Sequence, residues 1–124
     1  MSAAKQIQGS VSYHAGLAAE NAVAQDYMRR GFTVARERWR GKRGEIDLIM
    51  RSDADLIFVE VKKSQSFARA ALRVSRRQIE RIMGSAEEFL AGEPNGALTN
   101  VRFDVALVDQ TGQLRIVENA FGHD

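Results

Sequence analysis

The sequence predicts an α/β fold: a central mixed β-sheet flanked by helices, in one domain. Three observations carry this. Two long stretches repeat apolar residues at helical spacing, five shorter ones read as strands, and one helical stretch falls between the third and fourth strands. A helix in that place carries the chain across the sheet, which makes the sheet mixed rather than a simple meander. The 124 residues suit a single domain spanning 1–124, and 44% apolar residues are enough for one layered core. Residues 1–12 are expected to form a flexible N-terminal tail.

Residues 14–30 read as the first helix, with Leu17, Val23, Ala24, Tyr27 and Met28 on one face, Ser12 as a cap and Gly31 at the end. Residues 32–38 alternate as a strand, with Phe32, Val34 and Arg36 set against Thr33 and Ala35. Residues 40–44 (RGKRG) form a basic turn. Residues 45–51 (EIDLIMR) and 56–62 (LIFVEVK) are two strands joined by a tight turn at 52–55, the hairpin pattern of apolar runs around turn residues. Residues 75–91 form the second long helix, with Ile79, Ile82, Met83, Ala86 and Leu90 on one face. A loop at 92–100 contains Pro94, the one proline. Strands at 101–108 and 114–118, joined by a turn at 109–112, complete the order α-β-β-β-α-β-β.

Composition excludes several classes of function. There is no cysteine, so neither a disulfide scaffold nor a thiolate zinc site is available. His14 and His123, near the termini, are too few for a histidine metal site. Any metal must then be held by carboxylates, which favours magnesium or manganese. No apolar run approaches the roughly 20 residues that span a bilayer, and the N-terminus lacks a signal-peptide pattern, so a cytoplasmic protein is expected. Net charge is only +2, yet residues 36–81 hold 13 Lys/Arg against 7 Asp/Glu. A basic middle on a nearly neutral chain points to a local anionic partner.

The chemistry lies in two strands that carry charge where a core strand is normally apolar. Glu45 and Asp47 share one face of theirs, and Glu60 and Lys62 share one face of the next. Burying such groups is expensive. A phosphodiester-cleaving site supplies a reason: Asp47, Glu60 and the Val61 carbonyl offer oxygens to a divalent ion, and Lys62 orients water or stabilises a charged transition state. A solvated edge strand is the bland alternative, and Glu-x-Lys alone does not exclude it. Asp47, thirteen residues before Glu60 in a matching strand, strengthens the chemical reading.

These residues resemble the Asp…Glu-x-Lys signature of the PD-(D/E)XK, or restriction-endonuclease-like, nuclease superfamily. The sequence is more closely similar to the bacterial YraN-like family, whose members resemble archaeal Holliday junction resolvases. The matching segments are Ala19-Glu20, Gly44 to Ile49, Phe58 to Lys62, Arg102 to Val105 and Asn119 to Phe121. The resemblance implies an α-β-β-β-α-β core, Asp47 and Glu60 as metal ligands and Lys62 as the catalytic lysine. It further implies Glu20 as an extra acid from the first helix, and Gln78 in the place of a lysine common on the second. Ile46 stands where the wider superfamily has proline, Ala19 where the helix motif has glycine, and Lys63-Ser64 where a bulky residue and arginine are usual.

Two basic clusters flank this constellation. One holds Arg36, Arg38, Arg40, Lys42 and Arg43 around Trp39, and the other holds Arg69, Arg73, Arg76, Arg77 and Arg81. Arg38, Arg40, Arg43, Arg73, Arg76 and Arg77 are the expected nucleic-acid contacts, whereas Trp39 is expected to pack in the core. Arg102 and Asp104 share a strand face as an ion pair, with Asp104 a secondary metal candidate, and Asn119 to Phe121 are expected to pack the last turn on the sheet. Three functions are compatible: a metal-dependent DNA nuclease, a non-catalytic nucleic-acid-binding module that keeps the fold, and an interaction subunit for an acidic protein. The carboxylates and the lysine favour the first. A duplex substrate would favour a homodimer, because one small domain covers few base pairs.

Overall fold

The structure, a computed structural model, describes residues 3–121, with side chains described from Gly16 onward. Helix α1 (Ala3–Arg29) leads into β1 (Thr33–Gly41), β2 (Gly44–Ser52) and β3 (Asp55–Lys63). Helices α2 (Phe67–Leu72) and α3 (Arg76–Leu90) follow, then one 3-10 turn (Gly96–Leu98), β4 (Val101–Val108) and β5 (Leu114–Val117). The strands form one sheet in the order β1-β2-β3-β4-β5. β3 and β4 run parallel and every other pair antiparallel, so the sheet is mixed as the strand–helix order predicts.

Alternation along the central strands assigns the helices to faces. Leu48, Met50, Ile57, Val59, Ala106 and Val108 pack with Ala19, Val23, Ala24 and Tyr27 of α1. The opposite face carries Ile49, Leu56, Phe58 and Phe103 against Ile82 and Ala86 of α3, and Val105 and Leu107 against Ala70 of α2. β3 is buried on both faces, which is why Leu56 to Val59 reads as an unbroken apolar run.

Several boundaries differ from expectation. α1 begins at Ala3, so Ser12 lies inside it rather than capping it, and most of the expected tail is helical. The sequence there, rich in alanine and glutamine, has no proline to stop the helix. His14 and His123 lie outside the described side chains. Met28 is 40% exposed and leaves the buried face of α1 to Ala19, Val23, Ala24 and Tyr27. The register of β1 on β2 shifts between Val34 and Arg36. That bulge turns Ala35 toward the α3 side and leaves Arg36 exposed. β1 then continues to Gly41, so the basic turn shrinks to Lys42 and Arg43, and Arg40 belongs to the strand. α2 was absent from the sequence reading: FARAAL is too short to show a helical period, although Ser66 caps it by accepting from the Arg69 amide.

Candidate functional site

The β2–β3 ladder pairs Ser52 with Asp55 at the hairpin and runs to Leu48 with Val59. Beyond that point each strand follows its other neighbour, β2 with β1 to Gly44 and β3 with β4 to Lys63. The candidate residues stand where the two strands part. Asp47 Oδ2 takes the place of a ladder carbonyl and accepts from the Val61 amide at 2.8 Å. The N–H and C=O of a strand residue leave on the same edge, so the Val61 carbonyl faces the same opening.

Glu60 is 7% exposed, beside Asp47, with its Oε1 3.6 Å from Lys62 Nζ. Burial first, then the adjacent Asp47 carboxylate, pushes the Glu60 carboxyl up to about 8, against the opposing pull of Lys62. Burial therefore favours the neutral form of the Glu60 carboxyl. Glu20 approaches from α1: its carboxyl is raised mainly by burial and partly by the charges of Asp47 and Glu45, while the hydrogen bond from Arg38 lowers it. Arg38 Nε donates to Glu20 Oε1 at 2.7 Å, from a backbone in the left-handed region (φ 50°). Asp47, Glu60, Val61, Lys62 and Glu20 are thus brought into one neighbourhood.

Two clefts open onto it. One, of about 450 Å³, is lined by Glu20, Val61, Lys62, Lys63 and Arg73. The other, of about 490 Å³, is lined by Asp47, Glu45, Arg81 and the β1–β2 hairpin from Arg40 to Gly44. The carboxylates sit between cation-lined surfaces, and Lys63 and Arg81 are lining residues the sequence reading left off its list of contacts. Arg73 donates to the Lys63 carbonyl at 2.7 Å, Arg40 lies 3.7 Å from Glu45 at 80% side-chain exposure, and Arg76 and Arg77 are exposed in the first turn of α3.

Other candidates have structural work instead. Gln78 caps α3: its side chain accepts from the Ser75 amide while its own amide donates to Ser75 Oγ. Its amide oxygen is therefore engaged in a capping box rather than with Lys62. Asp104 is fully buried, accepting from Tyr27 Oη (2.6 Å), from Arg102 (2.8 and 2.9 Å) and from the Asn119 amide (3.0 Å). It is on the α1 face, so the Arg102–Asp104 pair forms as expected and Asp104 is committed to holding α1, β4 and the last turn together. Trp39 packs edge-on to Phe89, and Phe121 lies against Phe103, both as core residues.

The donors present are hard oxygens. Among the described residues no group of three or more His, Cys, Asp or Glu is close enough to hold a metal, so an ion here would have at most two carboxylates, with backbone and water completing its shell. That donor set fits magnesium, which keeps several waters and takes one or two carboxylates.

Among the described residues no helix is long and apolar enough to cross a membrane. Residues 19–108 match the model of a family described as "Uncharacterised protein family UPF0102". The chain is similar to UPF0102 proteins of Cereibacter sphaeroides strain KD131 (64% identical, covering 93% of this chain and 98% of the relative) and Ruegeria pomeroyi (60%, covering 94% of each). A UPF0102 protein of Dinoroseobacter shibae is 43% identical over 94% of this chain and 87% of its own length. The matched region contains Glu20, Asp47, Glu60 and Lys62 together, and the chain belongs to the UPF0102 family, the YraN-like family of the sequence resemblance.

Proposed function

We propose that this protein is a cytoplasmic, divalent-metal-dependent phosphodiesterase of the PD-(D/E)XK type that cleaves DNA. The observation that carries the reading is the meeting of Asp47, Glu60 and Lys62 where β2 and β3 part, between two cation-lined clefts. The element order, with β4 parallel to β3, supports a restriction-endonuclease-like core for this mixed sheet.

In this reading Asp47, Glu60 and the Val61 carbonyl hold Mg²⁺ or Mn²⁺. When bound, the ion supplies positive charge to the phosphate and lowers the pKa of water. Asp47 keeps its place through the Val61 amide, and Glu60 is fixed by burial. Lys62, held beside Glu60, orients the attacking water or stabilises the charge that develops on phosphorus as one ester P–O bond breaks. Glu20 serves as a further acid at the edge of the same cleft. Arginines of both basic surfaces grip flanking phosphates. One chain carries one such site, so cutting both strands of a duplex calls for two copies.

The test is cleavage of single-stranded, duplex and branched DNA with magnesium or manganese. Wild type is expected to cleave at least one of them. Asp47→Asn should abolish cleavage and leave DNA binding equal or tighter, because a carboxylate near the phosphate is gone. Lys62→Ala should keep metal binding and lose cleavage by at least about a hundredfold. If wild type binds DNA but cleaves nothing with either ion, the non-catalytic binding module is the better reading. If Asp47→Asn cleaves as wild type does, the assignment of this site is wrong.

A further inference from the structure

We propose that Arg43 and Arg81 form a preorganised phosphate clamp beside Asp47, a subsite that holds one backbone phosphate of a DNA strand adjacent to the phosphate at the carboxylates. The proposal rests on the phosphodiesterase reading for the strand's path and deepens it by naming a second contact point.

The two arginines are seated on glycines of each other's elements. Arg43 leaves the β1–β2 hairpin and lies over Gly84 of α3, where an added Cβ would stand 2.7 Å from both its Cζ and its Nε. Arg81 leaves α3 and lies over Gly44 at the start of β2, where a Cβ would stand 2.6 Å from its Cδ and 2.8 Å from its Cγ. Gly84 is inside a 15-residue helix, where glycine is a much poorer helix former than alanine. Helix propensity is given up at the spot where the guanidinium rests. The frame around the pair is also tied down. The buried Ser85 hydroxyl donates to the Gly44 carbonyl at 3.0 Å, and Glu88 accepts from the Lys42 amide at 2.8 Å.

Both side chains are exposed, yet each rests on a glycine beside a pinned hairpin. Arg38, Arg51 and Arg102 each have a carboxylate partner, whereas among the described residues neither Arg43 nor Arg81 lies within ion-pair distance of one. Both line the cleft that runs onto Asp47. Two planar cationic forks, each resting against a glycine and lacking an internal anion, match the oxygens of a phosphodiester. Because the cleft is continuous with the carboxylates, the anion it holds belongs to the same polymer that reaches them.

The clamp is tested by binding alone, with the full chain, in EDTA, on a short fluorescein-labelled single-stranded DNA followed by anisotropy across a salt series. Arg43→Ala and Arg81→Ala should each weaken binding about tenfold and flatten the log–log salt slope by about 0.7. Gly84→Ala should do the same while removing no charge. Its Cβ meets only the far end of the flexible Arg43 side chain, so the helix is kept, which a thermal melt checks, and the guanidinium is displaced. Arg29→Ala, an equal charge change on an exposed residue of α1, should change affinity by less than about twofold. The clamp is overturned if Gly84→Ala binds as wild type, if Arg43→Ala and Arg81→Ala do no more than Arg29→Ala, or if wild type binds no DNA. If these variants behave as expected and wild type still cleaves nothing with either metal, the clamp stands and the nuclease reading falls. If cleavage proceeds and the variants bind normally, the reverse holds.

Discussion

Glu60 stands in the central strand with Asp47 beside it and Lys62 3.6 Å away, and its carboxyl is shifted up to about 8. An exposed glutamate titrates in the ordinary carboxylate range, so this shift comes from where β3 buries the side chain. Asp104, the fourth residue of β4, takes the opposite course. Its carboxylate is equally buried but accepts from Tyr27, Arg102 and the Asn119 amide, so its charge is matched within the fold. Burial and the Asp104 carboxylate both hold the Tyr27 phenol well above its ordinary range, keeping it a neutral donor. Tyr27→Phe should therefore cost about 1 kcal/mol of stability, the net worth of one buried hydrogen bond, read from the urea midpoint at unchanged m. An unshifted midpoint would mean that Arg102 and Asn119 satisfy Asp104 by themselves.

Helix α3 shows how one element serves both packing and the site. Ile82 and Ala86 face the sheet, Ser75 and Gln78 close its first turn, and Gly84 and Arg81 face the basic hairpin. The capping box separates two readings of Gln78. Ser75→Ala should destabilise the protein by about 1 kcal/mol. Gln78→Ala should cost less and leave cleavage per folded molecule within about threefold, since its amide is used on the Ser75 backbone. A tenfold fall in kcat for Gln78→Ala at unchanged melting temperature would instead return this residue to the reacting groups.

On the whole molecule, charge is concentrated where the sheet opens. The middle of the chain is basic within a net charge of +2, and folding gathers that charge from the β1–β2 hairpin, the end of β3 and the α2–α3 region. Arg76 and Arg77 line neither cleft and add exposed charge at one end of α3. They occupy the first turn of α3, the positive end of its dipole, where acidic residues are favoured and none is present. An external anion at that helix end would relieve the mismatch. DNA affinity should accordingly fall steeply with salt, and Arg76→Ala with Arg77→Ala should weaken binding and flatten the slope by about 1.4, two single-strand contacts. Unchanged binding in that double variant would make this turn a solvated face only.

What the sequence by itself determined is whatever repeats along one element. The strand and long-helix order, the mixed sheet, the shared face of Glu60 and Lys62, and Gly31 ending α1 at φ 98° all follow from local periodicity and backbone sterics. The Asp47 and Glu60 motif was legible because charge in an apolar strand is costly wherever the strand goes. Tertiary structure alone decided how separate elements meet. The ladder's end at Leu48 and Val59 gives Asp47 the Val61 amide, α1's docking brings Glu20 to Arg38, and the α3–hairpin contact seats Arg43 and Arg81 on Gly84 and Gly44. The same level turned Arg36 outward at a bulge, took Gln78 for a cap and matched Asp104 with three donors. The physical reason is that periodicity fixes a side chain's direction within its own helix or strand. Register, bulges and packing between elements set what it meets there, and those arise from contacts far apart in the chain.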